Sequence, residues 1–335
     1  MTVGPRTIRL DGRARPPVWG VGTPLSGGDP RAWGHARRRT RDDVGVRVDR
    51  GAAVLFPGQG VSVARSQARV ADAIPQLLQL AGELIGEDCF EQAGQSTRYA
   101  QPAIFLSSLA AFLELEDPVA AVAFAGHSLG ELSALAAAGA LRWEDALELV
   151  VLRGALMDAS GNANGGDGSM LALLKSTPEE AAAVAADAGV WVANDNAPGQ
   201  TVLAGPREGL REAARIARER GVRSLALDVT GAFHSPWMAA AQQPFHEALQ
   251  RVSFSDPAVT VFSGLTARPF VDPRDELALA LTSPVRWRET MVALAAHGAH
   301  TFIDVGPDQV LARLVARNVQ DVRAIALEEH HVGNA

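Results

Sequence analysis

The most constraining stretch of the chain runs from Val119 to Ala140. A continuous apolar segment, Val119 to Ala125, follows the break at Asp117-Pro118 and stops at Gly126-His127-Ser128-Leu129-Gly130; Glu131 to Ala140 is then rich in alanine and leucine. Apolar run, glycine-flanked turn and helix-forming run predict a buried strand that turns sharply into a helix, the unit of a parallel α/β sheet. In that context G-x-S-x-G has a mechanical meaning. The glycines allow a tight turn and close backbone approach, so the Ser128 hydroxyl stands at the edge of the sheet, and the amide of Leu129 at the helix start faces a developing oxyanion. As a bare pattern it is common; its placement between strand and helix makes it specific.

A chain of 335 residues with 47% hydrophobic positions is long enough for a large core around such a sheet. Further strands and helices are expected on either side. Ala52 to Phe56 is a short apolar strand stopped by Pro57-Gly58, and helices are expected over Ile74 to Ile85 and from Gln101-Pro102 to Leu113. Gly161 to Gly168 reads as a loop. After it come a strand (Met170 to Leu174), a helix (Pro178 to Ala188), two strands (Val190 to Ala193, Thr201 to Gly205), a helix (Arg207 to Arg220) and a strand (Arg223 to Val229). This βαββαβ order is that of a ferredoxin-like unit. Strands near Val259 to Phe262 and Thr301 to Val305 and a helix from Gln309 to Asn318 return to the first sheet. The expected architecture is therefore α/β: an α/β-hydrolase-like large domain with a parallel sheet, over residues 51–165 and 231–325, and an inserted ferredoxin-like small subdomain over 166–230. Residues 1–50, rich in Arg, Gly and Pro and carrying the run Arg37 to Arg41, read as a disordered leader.

Composition excludes several classes of function. A net charge of −7 argues against a general nucleic-acid binder, although a local basic patch could still receive an acidic protein. The single cysteine, Cys89, rules out an internal disulfide framework and fits a reducing cytoplasm. No apolar run approaches the roughly 18 residues of a membrane span, so no membrane partner is expected.

Ser128 needs a base, and there are eight histidines. His127 sits inside the turn and is too constrained to reach its neighbour's hydroxyl. His35, His330 and His331 lie near the ends, and His246, His297 and His300 fall on helices or turns. His234 stands out because it closes a strand-like run, Gly231-Ala232-Phe233, and is followed by the rigid Ser235-Pro236. A carboxylate for a triad is not evident: neither Asp195 nor Asp228 ends a strand beside a turn, and Asp304, which does end one, follows His234. A Ser-His dyad is the simpler reading. The glycine-rich turn Phe56-Pro57-Gly58-Gln59-Gly60 lacks the ending of a phosphate loop, and its amides are candidates for the other half of an oxyanion hole.

Together these motifs resemble the malonyl-CoA:acyl carrier protein transacylases and the acyltransferase domains of polyketide synthases. The resemblance runs from Gly51 to about Asn318, through FPGQG (56–60), Gln101-Pro102-Ala103, GHSLGE (126–131), RGALM (153–157), NDNAPGQ (194–200), AFHSPWM (232–238), SPVRW (283–287) and VGP (305–307). It implies that Ser128 attacks an acyl-CoA thioester with His234 as base, that the amides of Gln59 and Leu129 form the oxyanion hole, and that the acyl group passes to the phosphopantetheine thiol of an acyl carrier protein. Arg153 would clamp the free carboxylate of a malonyl group, and Gln101, Asn196, Phe233 and His127 join it on the substrate-binding surface. Phe233 resembles the malonyl-preferring form of its motif, with an aromatic that crowds a 2-methyl group.

Malonyl-CoA is expected as substrate, with no bound cofactor, no metal and a monomeric chain. In this family backbone carbonyls orient the histidine; this chain has Ala280 where many relatives have glutamine, so only a backbone contribution remains. Val61-Ser62-Val63-Ala64 also departs from the residues usual after FPGQG. An acyl hydrolase that clears carrier proteins and a non-catalytic scaffold in a synthase assembly are the competing readings.

Overall fold

The computed structural model of the protein describes residues 46–163 and 165–327; the Arg37 to Arg41 run, His35, His330 and His331 lie outside these. Ahead of the expected start at Gly51, Val48 is buried and its amide donates to Glu116 O at 2.9 Å.

Strand β1 (Ala52–Phe56) is buried along its whole length. Three short helices (Gln67–Ala73, Pro75–Ile85, Cys89–Gln92) lead to the long helix Thr97–Phe112, then β2 (Ala123–Gly126), a helix Gly130–Ala137 and a helix Trp143–Ala163. The small sheet holds β3 (Gly168–Leu174), β4 (Trp191–Ala197), β5 (Gln200–Pro206) and β6 (Arg223–Leu227), with helices Pro178–Ala188 and Arg207–Glu219. The chain then runs through helix Ala239–Leu249, β7 (Val261–Ser263), β8 (Arg268–Pro269), helices Pro273–Ala280 and Trp287–Ala296, β9 (Thr301–Asp304), helix Val310–Asn318 and β10 (Arg323–Ala326).

The large sheet has the order β10-β9-β1-β2-β7-β8, parallel except for β8 against β7. Val54, Phe56 and Phe124 face one apolar cluster, whereas Ala53, Leu55 and Ala125 face the other. Burial on both faces explains why these strands read as unbroken apolar runs rather than alternating ones. The chain leaves β1 toward β2 on one side and has β9 on the other, so the strand order reverses at the carboxyl end of β1. Crevices that bind ligands form at such ends. The loops after β1 and β2 are Pro57 to Gly60 and His127 to Leu129.

The small sheet has the order β4-β5-β3-β6 with every pairing antiparallel, the ferredoxin-like arrangement. Leu171 and Leu173 pack under its two helices, while Met170 and Ala172 turn toward the large core. Its β4 edge is tied down. Asp195 N donates to Val285 O and Val285 N to Ala193 O, both at 2.9 Å. Arg288 forks onto the Asp195 carboxylate (2.6 to 3.0 Å), and Asn318 Nδ2 donates to Asn196 O at 2.8 Å.

Several boundaries differ from expectation. The helix expected from Gln101-Pro102 begins at Thr97, where the Ser96 side chain accepts from the Arg98 amide, so Pro102 lies inside it rather than in its first turn. The strand expected from Val119 is a 3-10 turn over Pro118–Ala120, with β2 beginning only at Ala123. The helix starting at Trp143 runs to Ala163, into the expected loop. The run before His234 is not a strand but a turn, and His234 itself has φ +57°. The short edge strands β8 and β10 carry too few residues to show a period.

Candidate active site

The turn after β2 explains its own glycines. A Cβ on Gly126 would lie 1.9 Å from the Gly130 carbonyl carbon, and one on Gly130 would lie 2.1 Å from Phe56 O. Neither position has room for a side chain. Between them Ser128 is forced to φ +54°, a left-handed conformation that non-glycine residues adopt at a cost. His127 N holds the turn to β1 through Phe56 O at 2.9 Å. Helix Gly130–Ala137 has no side-chain cap; the amides of Gly130, Glu131 and Leu132 donate instead to the carbonyls of His127, Ser128 and Leu129 at 3.0 to 3.1 Å. Among the described residues neither the Leu129 amide nor the Gln59 amide meets an acceptor.

Two groups reach the Ser128 hydroxyl. His234 Nε2 lies 2.7 Å from Oγ, and Arg153 Nη2 donates to Oγ at 3.1 Å. His234 Nδ1 is 2.8 Å from Ala280 O, a carbonyl at the end of helix Pro273–Ala280. A carbonyl only accepts, so Nδ1 carries the proton and Nε2 presents a lone pair to the hydroxyl. Burial, then the positive charge of Arg153, push the His234 pKa down to about 3, against the pull of the Ala280 bond. The imidazole is neutral.

Arg153 is buried on helix Trp143–Ala163 and makes no ion pair among the described residues. Its Nη1 donates to Gln101 Oε1 at 2.7 Å; Gln101 Nε2 donates to Thr97 Oγ1 at 2.9 Å, and that hydroxyl donates to Gln59 Oε1 at 2.9 Å. Burial lowers the Arg153 pKa to about 10, which leaves it cationic at neutral pH. A chain of hydrogen bonds thus joins the FPGQG turn, helix Thr97–Phe112 and the cation at Ser128.

The other expected residues are placed as follows. His127 turns away from Ser128: Nε2 bonds Asn196 Oδ1 at 2.8 Å, and the ring meets the edge of Trp287 at 5.2 Å between centroids. Asn196 thereby connects the small sheet to the turn. Phe233 is buried with its ring against Gly231, where a Cβ would stand 2.5 Å from Phe233 Cε1. Asp195 is held by Arg288, Asp228 is exposed, and Asp304 accepts from the amides of Gly306, Leu311 and Ala312 at 2.8 to 3.0 Å. None of the three reaches His234. The departing segment after FPGQG is fastened by Ser62 N donating to the Asp308 carboxylate at 2.6 Å.

Residue reading alone did not single out two members of this network. Thr97 relays between Gln59 and Gln101. Glu131, in the first turn of the helix after Ser128, is 2% exposed and accepts from Gly264 N at 2.7 Å. Burial pushes its pKa up to about 8, with the Gly264 bond and then Arg153 opposing. Among the described residues no cluster of three or more His, Cys, Asp or Glu could hold a metal, and no helix is long and apolar enough to cross a membrane.

An α/β sheet that presents a serine on a strained turn, with a neutral histidine and a buried cation at its hydroxyl, is the framework of a serine acyl-transfer enzyme. The chain belongs to the acyl transferase domain family, whose profile matches residues 56–333. It is 38% identical over 278 residues to the polyketide biosynthesis protein ThaF of Burkholderia thailandensis, covering 79% of this chain but only 24% of that longer relative. It is 34% identical to the malonyl CoA-acyl carrier protein transacylase of Bacillus subtilis, over 83% of this chain and 93% of the relative. The crystal structure of the malonyl-CoA:acyl carrier protein transacylase of Xanthomonas oryzae superposes with a TM-score of 0.77 at 31% identity, covering 85% of this chain and 98% of the other.

Proposed function

We propose that the protein is an acyl carrier protein S-malonyltransferase of fatty acid or polyketide biosynthesis. The Ser128 oxygen adds to the thioester carbon of malonyl-CoA while its proton passes to His234 Nε2. The carbon–sulfur bond then breaks, and the departing thiolate takes that proton as free coenzyme A. The phosphopantetheine thiol of a carrier protein reverses the sequence and leaves with the malonyl group. In both halves the amides of Gln59 and Leu129 face the oxyanion. The acyl group's free carboxylate lies on the Arg153 guanidinium, with Gln101, Asn196, His127 and Phe233 bounding the site between the large unit (51–165 and 231–325) and the small one (166–230).

One observation carries this reading: a buried, cationic Arg153 stands 3.1 Å from the Ser128 hydroxyl with no carboxylate paired to it among the described residues. Desolvating a guanidinium costs several kcal/mol without an anionic partner, and a substrate carboxylate supplies one. A site for simple monoacyl chains has no such need.

Intact-mass analysis tests the reading. Mixing the protein with malonyl-CoA should give a malonyl adduct on Ser128 that moves to added phosphopantetheinylated carrier protein. Release to water with the carrier unacylated would make it a hydrolase, and no adduct at all would make it a scaffold.

A further inference from the structure

Thr97 is 2% exposed and, among the described residues, makes no hydrogen bond to Ser128 or His234, yet it stands at the centre of the hydrogen-bond chain behind them. The direction of that chain is set from one end. A guanidinium only donates, so the Gln101 oxygen faces Arg153 Nη1 (2.7 Å) and its nitrogen faces away, to Thr97 Oγ1 (2.9 Å) and the Met157 sulfur (3.3 Å). The Thr97 hydroxyl accepts there and has one proton to give, which goes to Gln59 Oε1 at 2.9 Å. One hydroxyl thus fixes two side-chain amides: the one that braces the cation, and the one on the turn whose backbone amide faces the oxyanion.

The two helices are shaped to hold it there. Thr97 and Gln101 are four residues apart on helix Thr97–Phe112, as are Arg153 and Met157 on helix Trp143–Ala163, so each pair shares a face. Gly154, beside Arg153, lets the helices close: a Cβ there would lie 3.0 Å from Thr97 O and 3.2 Å from Arg98 Cα. Ser96, the cap, donates to Asp158 Oδ1 at 2.7 Å and pins the helix start next to Thr97.

We propose that Thr97 is a positioning residue for the transfer reaction: its hydroxyl holds the Gln59 turn and the Arg153 guanidinium in one register, so that the oxyanion donor and the carboxylate partner meet the same acyl group. This rests on the roles assigned to Gln59 and Arg153 above. Toward Gln59 it acts on the thioester oxygen, which every acyl-CoA shares. Toward Gln101 and Arg153 it acts only on an acyl group that bears a carboxylate. Loss of the hydroxyl therefore slows all substrates and slows malonyl-CoA further.

The test is single-turnover acylation of Ser128 by malonyl-CoA and by acetyl-CoA, followed by intact mass, in Thr97→Val, Thr97→Ser and Gln59→Met. Valine keeps the branched shape and loses both hydrogen bonds; serine keeps the hydroxyl. In Thr97→Val the acetyl rate should fall about tenfold and the malonyl rate about 100-fold, one hydrogen bond for each part. Thr97→Ser should recover most of both losses. Gln59→Met keeps the backbone amide and cuts the chain at a half-buried position; it should lower both rates equally, and Thr97→Val added to it should lower the acetyl rate no further. A purely structural Thr97 would lower the unfolding temperature in Thr97→Val and leave the malonyl-to-acetyl ratio where it was. That unchanged ratio, losses as deep in Thr97→Ser, or full acetyl loading in Gln59→Met would overturn the proposal. Failure of the functional reading shows separately, as no malonyl adduct in the unaltered protein or as equal malonyl and acetyl losses in Arg153→Ala, and would take this proposal with it.

Discussion

Strands β2 and β9 lie on either side of β1, and each has a buried carboxylate at or just beyond its carboxyl end: Glu131, in the helix after the Ser128 turn, and Asp304, the last residue of β9. Asp304 is met by three backbone amides, which fix the Gly306 turn and the start of helix Val310–Asn318. Glu131 has one such amide, that of Gly264, and burial pushes its pKa up to about 8. The difference lies in the number of backbone donors rather than in burial. Three amides make Asp304 a structural joint between β9 and the helix that follows, whereas Glu131, with one, stands three residues after the nucleophile.

The widest separation between the two strand ends should come from His234→Ala. Removing the base that the described residues place at Ser128 is expected to lower the rate of Ser128 acylation about 10³-fold while leaving thermal unfolding nearly unchanged; unaltered loading, measured by quenched-flow mass spectrometry, would mean that another group takes the proton. Asp304→Ala should do the reverse. Three amides lose their acceptor, and urea unfolding should show a loss of about 3 kcal/mol, with the ratio of malonyl to acetyl loading preserved in the protein that remains folded. A changed ratio with unchanged stability would place Asp304 among the reacting groups and end the comparison.

The two ends also differ in how far the chain alone disclosed them. Ser128 was legible because strand, glycine turn and helix are local patterns, and the same holds for the βαββαβ order of the small sheet. His234 was favoured by its place before Ser235-Pro236, and its role as base came from resemblance: its partners Ser128 and Ala280 lie 106 and 46 residues away, and its left-handed turn leaves no periodic trace. The lack of a triad acid could be argued from chain order, but the use of Asp304 as a helix joint could not, since its amide partners follow in a turn with two left-handed residues, Asp308 and Gln309. Glu131 was hidden for the opposite reason. An acidic residue in a helix's first turn ordinarily complements the helix dipole at the surface, and Glu131 is buried only through tertiary packing, with Gly264, 133 residues away in sequence, donating to it. Pro102 misled in the same way: proline marks a first turn by propensity, yet the Ser96 cap sets the real start five residues earlier.

The central claim is that the cation at the β2 end recognises the acyl group's carboxylate. Its most direct test is acyl-enzyme formation by Arg153→Ala from malonyl-CoA and from acetyl-CoA, read side by side by intact mass. Malonyl loading should fall about 100-fold more than acetyl loading, the loss that goes with removing one charge-assisted, buried carboxylate contact. Equal losses from the two substrates would contradict the account and leave Arg153 as a general support for Ser128.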